Sequence, residues 1–509
     1  MRTDRTKPRA LRQLRSRRTG PAVLLAVALA TSALNAPPAA AAAPAELAYM
    51  TLSRLVTDAQ RGDQAIGVLA GTEDIDLVRL FVSLRHSDNA ARRQLAVDFL
   101  HTVSGEKAAD VLRQRLRVEP APHVRRVILT HLLDGDAATR EDLDRAAGDD
   151  DPRVRLLAAR GLQQAGATDR AAAVLADLVD AETRGVGPMA RLGLVKVGEA
   201  SQLGPLRDLV ASDTTRADLL AAMMGQIRAD KIVAAAPLAR AVIDSDRDPL
   251  LRMMGWDALA AVTDAREALR DAIRGADSAR VTLSLIRILA DGDDPGGALR
   301  SLTDGKPLAS RAARLAVARH TGDAAAVSEA ALAAVRLEHA MLSEYVLIRA
   351  TDDADKPYAG AYTDALLHLV RTAPRDTRSV GRAHRLAARA TALLADAGGP
   401  KALRALGAIL DGRYSARQRA VAAGLLRCDT EAACALARRI ADSAYRELAS
   451  DAALVLGRNG RREALDGLTK ILAHPDRHPP GIRLLASWYV LKLTGQGEAA
   501  ARRLAAELD

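Results

Sequence analysis

The stretch that decides the fold is DDDPRVRLLAARGLQQAG, residues 149–166. Asp151 suits an N-cap, where its carboxylate accepts hydrogen bonds from free amides of the first turn. Pro152 suits the first helical position, and Gly166 suits the position just beyond the last turn. The apolar residues between them recur with helical spacing and form one face. The three acids therefore predict the start of a helix rather than a catalytic or metal site, and a second helix is expected over about 169–180.

The same pattern returns along the chain at a regular interval. From Asp88 to Asp277 there are six steps over 189 residues, about 31 residues each. The segments begin at Ser87, Ala121, Asp151, Gly187, Asp213, Asp248 and Asp277. Self-similarity at such a period indicates a solenoid, in which each two-helix unit buries its apolar face against its neighbours.

Composition agrees with an all-α chain. Of the 509 residues 49% are hydrophobic and only 2% aromatic, and no stretch alternates like a strand. We predict an α-α superhelix of stacked helix hairpins. The repeat phase weakens over 350–362 and 371–382, so we divide the solenoid into an N-terminal part, 42–350, and a C-terminal part, 351–509, either continuous or hinged.

The chain resembles HEAT-repeat proteins, especially the short bacterial HEAT-like repeats also found in phycobilin-lyase-type proteins. The resemblance rests on helix starts of the D-P-x-[VL]-R type, with DPRVRLLAARGLQQAG the best match and DPLLR from Asp248 an echo of it. It implies a curved α-solenoid, armadillo-like in architecture, that binds a partner, and it identifies neither the partner nor any enzymatic activity.

Residues 1–41 resemble a bacterial secretory signal peptide. Eight basic residues and one acid precede an apolar run over 21–34, and an alanine tract offers cleavage near Ala41. That run is short for a membrane span, so a cleaved leader is preferred and an uncleaved anchor is the second choice, and no later run is long enough. We expect an exported protein, periplasmic or secreted, whose mature chain has no transmembrane segment. Removing the leader lowers the net charge from +10 to +3, which argues against nucleic-acid binding.

Several motifs look like sites but are better explained as turns. The D-x-D-x-D of 244–248 does not fit a calcium-binding loop, because Pro249 and Gly255 occupy the positions where such a loop requires glycine and glutamate. The G-x-G-x-x-A of 185–190 follows a predicted helix, whereas a dinucleotide fingerprint follows a strand. The histidines of HPDRHPP, 474–480, fit a proline-rich turn. We therefore expect no catalytic residue, no metal site and no cofactor.

Cys428 and Cys434 are the only two cysteines. Their position at a predicted helix corner in an exported protein is compatible with a disulfide, and two buried thiols are the alternative.

One segment has an unusual charge. Residues 368–427 hold twelve Lys or Arg against three acids, a net of +9, while the rest of the mature chain is −6. A solvated ridge is one explanation, and a docking patch for a protein or an anionic cell-envelope polymer is the other. The candidate partner-binding residues are Arg371, Arg375, Arg378, Arg382, Arg385 and Arg389.

The function that this sequence favours is that of an exported, non-enzymatic scaffold that binds a macromolecular partner along its curved surface. The alternative is an enzyme or cofactor-binding protein whose site converges from distant repeats on the concave face. A cluster of His, Asp and Arg with a pocket would favour that alternative.

Overall fold

The computed structural model describes residues 44–58, 60–292, 295–374 and 381–508. The expected leader, 1–41, lies outside these ranges. Within them every regular element is a helix, which confirms the all-α prediction. The first helices are α1 Pro44–Val56, α2 Gly62–Ala70, α3 Val78–Leu84, α4 Ala90–Ser104, α5 Ala109–Val118, α6 Pro122–Asp134, α7 Arg140–Ala146, α8 Pro152–Gln164, α9 Thr168–Leu178, α10 Val186–Lys196, α11 Leu203–Ala211, α12 Ala217–Asp230, α13 Ala236–Ile243, α14 Pro249–Val262 and α15 Arg266–Gly275.

The remaining helices continue this series to the end of the described chain. They are α16 Ala279–Ala290, α17 Pro295–Arg300, α18 Pro307–Thr321, α19 Ala324–Val335, α20 Ala340–Asp352, α21 Thr363–Thr372, α22 Arg382–Ala397, α23 Gly399–Leu410, α24 Ala416–Leu425, α25 Glu431–Arg438, α26 Arg446–Arg458, α27 Leu465–Ala473, α28 Pro480–Leu493 and α29 Gly497–Leu508. Short 3₁₀ turns precede several of them, among them Ile75–Leu77, Ala359–Tyr362 and Pro475–Arg477.

The decisive stretch folds as predicted. Asp151 caps α8, and its Oδ1 accepts from the backbone amides of Arg153 at 2.8 Å and Val154 at 3.2 Å. Gly166 follows the helix with φ of +76°, a left-handed conformation that glycine adopts at little cost. The next helix, α9, completes the hairpin. The acids therefore begin a helix, and the prediction is confirmed.

Asp149 does not cap the helix but links two neighbouring hairpins. Its Oδ2 accepts from Arg125 Nε at 2.7 Å and its Oδ1 from Arg125 Nη2 at 2.7 Å, and both side chains are mostly buried. Arg125 also donates to the carbonyls of Glu119 and Pro120. The hydrogen bond to Asp149 raises the pKa of Arg125. A bidentate pair fixes orientation as well as distance, so this contact sets the register between the two hairpins.

All seven predicted repeat starts lead into a helix. The helices that follow them are α4, α6, α8, α10, α12, α14 and α16. Asp248 caps α14 by accepting from Leu250 N at 2.6 Å, which matches the role of Asp151 three repeats earlier. The period of about 31 residues is thus the period of the helix hairpins.

The chain forms two compact units, and the boundary between them falls inside α4. One unit runs from Leu100 to Thr321. In it α8 packs on α9 and α10, α14 on α12 and α13, and α18 on α16 and α17. Each hairpin thus rests on its neighbours in sequence, which is the HEAT-like helical solenoid arrangement that the repeat predicts.

The other unit joins the residues before Leu100 with those from Gly322 onward. Its helices α22 and α24 run parallel, since Ala387 clusters with Ala420, and further along the chain the Ala392 carbonyl on α22 accepts from the thiol of Cys428, which follows α24. They approach so closely at Gly424 that a Cβ there would lie 2.5 Å from the Ala388 carbonyl oxygen. The described part of this unit is again a stack of helices.

The first helices of the chain complete this stack at its C-terminal end. Helix α1 packs on α28, and α3 packs on α29. Trp488, fully buried, donates from Nε1 to Asp74 Oδ2 at 3.1 Å, and Lys492 Nζ lies 2.6 Å from the same oxygen. Tyr49 donates to Glu507 at 2.7 Å. The repeat pattern did not predict this terminal seam, the contact of α1 and α3 with α28 and α29.

No helix among the described residues has the length and apolar character to cross a membrane. The proposed division of the solenoid at residue 350 stays a prediction.

Candidate functional site

The candidate site begins with α22, which has an apolar and a basic side. Leu386, Ala387, Ala390 and Leu394 are buried. Arg382 and Arg385 are exposed and Arg389 is half-exposed, and their spacing of three and four residues places them on one side of the helix. We call Arg382, Arg385 and Arg389 the basic face.

One carboxylate from the preceding hairpin reaches this face. Glu344 on α20 accepts a hydrogen bond from Arg382 Nη2 through Oε2, and its Oε1 lies 3.9 Å from Arg389 Nη1. Arg382 and Arg389 are therefore brought together around a single acid. Arg385 has no ion pair among the residues that the structure describes. Glu344 lies 38 residues before Arg382, so a count of charge along the segment 368–427 does not include it.

Of the other three predicted arginines, the structure describes only Arg371. Arg371 is exposed in the last turn of α21. Arg375 and Arg378 lie outside the described residues. The candidate site therefore consists of the basic face and its surroundings, and the proposed extension through Arg371, Arg375 and Arg378 stays a prediction.

Acids outside the segment compensate part of its charge. Lys401 Nζ lies 2.6 Å from Asp364 Oδ1 on α21. Arg427, the last cation of the segment, follows α24, and burial together with the nearby guanidinium of Arg389 lowers its pKa. Like charges thus meet where α22 and α24 lie side by side.

The two cysteines are free thiols in this structure, and both are buried. The Cys428 thiol contacts the carbonyls of Ala392 at 3.7 Å and Gly424 at 3.6 Å. Burial and the Asp396 carboxylate raise the pKa of Cys428 well above its usual value, so the thiolate is scarce at neutral pH. Cys434 lies in α25. The predicted disulfide is not formed here, and it stays a prediction for the exported protein.

A second titratable group, Asp451, lies in the next hairpin, on α26. Burial raises the pKa of Asp451 to about 7, and neighbouring Glu447 adds to this while Arg419 opposes it. Tyr414 stacks on Tyr445 with ring centroids 4.1 Å apart and also contacts Glu447.

The alternative of a converging enzyme site receives no specific support. The described residues contain no group of three or more His, Cys, Asp or Glu side chains able to hold a metal. His474 and His478 flank the short turn Pro475–Arg477, as the proline-rich sequence predicts. A groove of about 490 Å³ between α15 and α18 includes Thr282 and Lys306, but both donate to backbone carbonyls of their own unit.

Comparison with known proteins gives a likeness of fold only. No protein-family profile matches the chain. No curated protein matches it. Among solved structures, it is similar to the karyopherin Kap121p bound to the SUMO protease Ulp1p, with a TM-score of 0.31 and 12% identity over 92% of this chain and 55% of that one. Kap121p bound to Pho4p gives a TM-score of 0.29 and 14% identity over 91% and 53%. The chain spans about half the length of these structures, and what they bind is a statement about them alone.

Proposed function

We propose that this protein is an exported, non-enzymatic helical scaffold that binds an acidic protein partner through the basic face of α22. The observation that carries the proposal is the arrangement of Arg382, Arg385 and Arg389 on the solvent side of one helix, with Arg427, just after α24, near Arg389. Guanidinium groups are suited to this role because they remain charged and bind carboxylates in a planar, bidentate manner.

The kind of partner is suggested by the group that the basic face already contacts, which is a carboxylate. Two of its arginines converge on the carboxylate of Glu344, so the spacing of their side chains fits a carboxylate. Aromatic residues make up only 2% of the chain, which leaves few platforms on which sugars or bases could stack. An acidic segment of a protein is favoured over an anionic envelope polymer on these grounds.

Export belongs to the proposal and rests on the leader pattern of residues 1–41. N-terminal sequencing of the protein recovered from its native cell tests it. A mature chain that begins near Ala41 and is found outside the cytoplasm supports export, whereas a cytoplasmic chain that retains Met1 contradicts it.

A charge-reversal variant tests the binding face. The triple variant Arg382→Glu, Arg385→Glu and Arg389→Glu should bind immobilised poly-L-glutamate about tenfold or more weakly than wild type at low salt. Binding by wild type should weaken as salt rises, because exposed charges are screened within about 10 Å at 0.1 M salt. Loss of the two exposed contacts to Glu344 should cost only about 0–1 kcal/mol each, so the variant should remain folded.

A matched control carries the same charge change elsewhere. Arg153, Arg462 and Arg477 are exposed and have no ion pair among the described residues. Their triple reversal to Glu should leave poly-L-glutamate binding nearly intact. If both triple variants weakened binding equally, the binding would depend on the net charge of the protein and not on the basic face. Tighter binding of polyphosphate than of poly-L-glutamate by wild type would favour the envelope polymer instead.

A further inference from the structure

The basic face is already occupied by a side chain of the protein itself. Both carboxylate oxygens of Glu344 face arginines of α22, one toward Arg382 and one toward Arg389. The three side chains are all exposed to a similar extent, at 38% for Glu344, 43% for Arg382 and 38% for Arg389. This bridged contact therefore lies at the surface, where a group from another molecule can reach it.

We infer that Glu344 is an internal competitor that holds the place of a partner carboxylate, and that the face accepts an extended acidic segment with carboxylates on alternate residues. This inference rests on the proposed function of the same face. A first partner carboxylate would pair with Arg389 in place of Glu344, while a second one would pair with Arg385, which has no ion pair among the described residues.

The spacing of the arginines selects the form of the segment. At about 1.5 Å of rise per residue, Arg385 and Arg389 lie about 6 Å apart along the axis of α22. In an extended chain, side chains on one side recur every two residues, or about 6.6 Å. Carboxylates on alternate residues therefore have nearly the same spacing as Arg385 and Arg389. In a run of consecutive acidic residues, half of the carboxylates would point away from the basic face.

Displacement of Glu344 is energetically feasible because the contact is weak. Exposed ion pairs contribute little in water, since both charges are well solvated when apart. A segment with two or more carboxylates would give the arginines a new partner in place of Glu344, and its further carboxylates would add contacts that Glu344 does not make. Glu344 should therefore lower the affinity of the face moderately without blocking it.

The test compares Glu344→Gln with a matched variant. Glu431 is also bridged by two arginines, Arg438 at 2.8 Å and Arg461, but it lies on α25 rather than beside the basic face. We expect Glu344→Gln to tighten binding of poly-L-glutamate about two- to fivefold and Glu431→Gln to leave it within error of wild type. Both variants remove one negative charge, so net charge cannot account for a difference.

The outcomes distinguish a failure of the proposed function from a failure of the role assigned to Glu344. If wild type and Glu344→Gln both fail to bind poly-L-glutamate, the proposed function is wrong. If wild type binds and Glu344→Gln binds no more tightly, the basic face still binds carboxylates, but Glu344 does not compete for it. A peptide of alternating Glu and Ser should bind at least about threefold more tightly than a peptide of the same composition in blocks; equal binding would contradict the extended segment.

Discussion

Replacing Asp74 with alanine should open the terminal seam, because this one carboxylate satisfies groups from both ends of the chain. It accepts from the indole of Trp488 and pairs with Lys492 on α28, and it also caps the short turn Ile75–Leu77 by accepting from Asp76 N. The Asp74 side chain is only 8% exposed. Its removal leaves three groups without their partner, of which the buried indole is the most costly.

The magnitude follows from the burial of each group. Trp488 is 0% exposed, so its unpaired N–H should cost about 1–3 kcal/mol. Lys492 is 35% exposed and can turn to water, so loss of its pair should cost at most about 1 kcal/mol. The lost cap adds about 0.5–1 kcal/mol. We expect a total of about 3 kcal/mol for Asp74→Ala, and about 1 kcal/mol for Asp74→Asn, which keeps an acceptor for the indole.

Tryptophan fluorescence provides a local assay. The chain has two tryptophans, so a Trp256→Phe background leaves Trp488 as the reporter of the seam. Asp74→Ala should lower the melting temperature by about 6–12 °C and shift the emission of Trp488 to the red, since a loosened seam admits water. Asp466→Ala, which removes one exposed contact to Lys470, should change neither quantity appreciably. An unchanged emission and melting temperature in Asp74→Ala, or equal losses in Asp74→Ala and Asp74→Asn, would refute the reasoning.

Three further predictions concern single residues. Asp151→Ala should lower the free energy of unfolding in urea by about 1 kcal/mol, since it removes the cap of α8, and calorimetric titration of wild type with calcium should show no specific site. In protein kept reduced, alkylation followed by mass spectrometry should find Cys428 and Cys434 slow to react while folded and both reactive after denaturation; in the exported protein, a loss of two hydrogens would show the predicted disulfide and two free thiols would rule it out. The folded state binds the proton of Asp451 more tightly than the unfolded state, so stability should fall as pH rises from about 4 to 7, and Asp451→Asn should raise the melting temperature more at pH 8 than at pH 5.

The sequence predicts the helices because their signals are local. Asp151 caps amides only two and three residues away, and Gly166 lies just beyond the same helix. A repeat of this local pattern also predicts which hairpins are neighbours. Each signal falls within one window of the chain, so helix starts and stacking could be read without any knowledge of distant contacts.

Contacts between hairpins escape such a reading because they depend on side-chain position across the stack. Arg125 meets Asp149 over 24 residues, and Asp74 meets Trp488 over 414. Nothing in the residues around Trp488 indicates a partner at the other end of the chain. The acid run of 149–151 was correctly assigned to a turn, but the link that Asp149 makes to the preceding hairpin became visible only in the folded structure.

The same distinction explains why a net charge of +9 is an incomplete description of the segment 368–427. In a solenoid, one face of a helix lies beside helices from the preceding and following hairpins, so its electrostatic surroundings are assembled across repeats. Glu344 on α20 neutralises part of the face from one side, while Arg427 beyond α24 reinforces it from the other. The charge of this surface therefore changes across the stack, from the Glu344 carboxylate on α20, through the basic face of α22, to Arg427 just after α24. A carboxylate-rich segment of the proposed kind would gain its contacts only after it replaces Glu344, so we expect this residue to tune the affinity by about two- to fivefold while the arginines supply most of it.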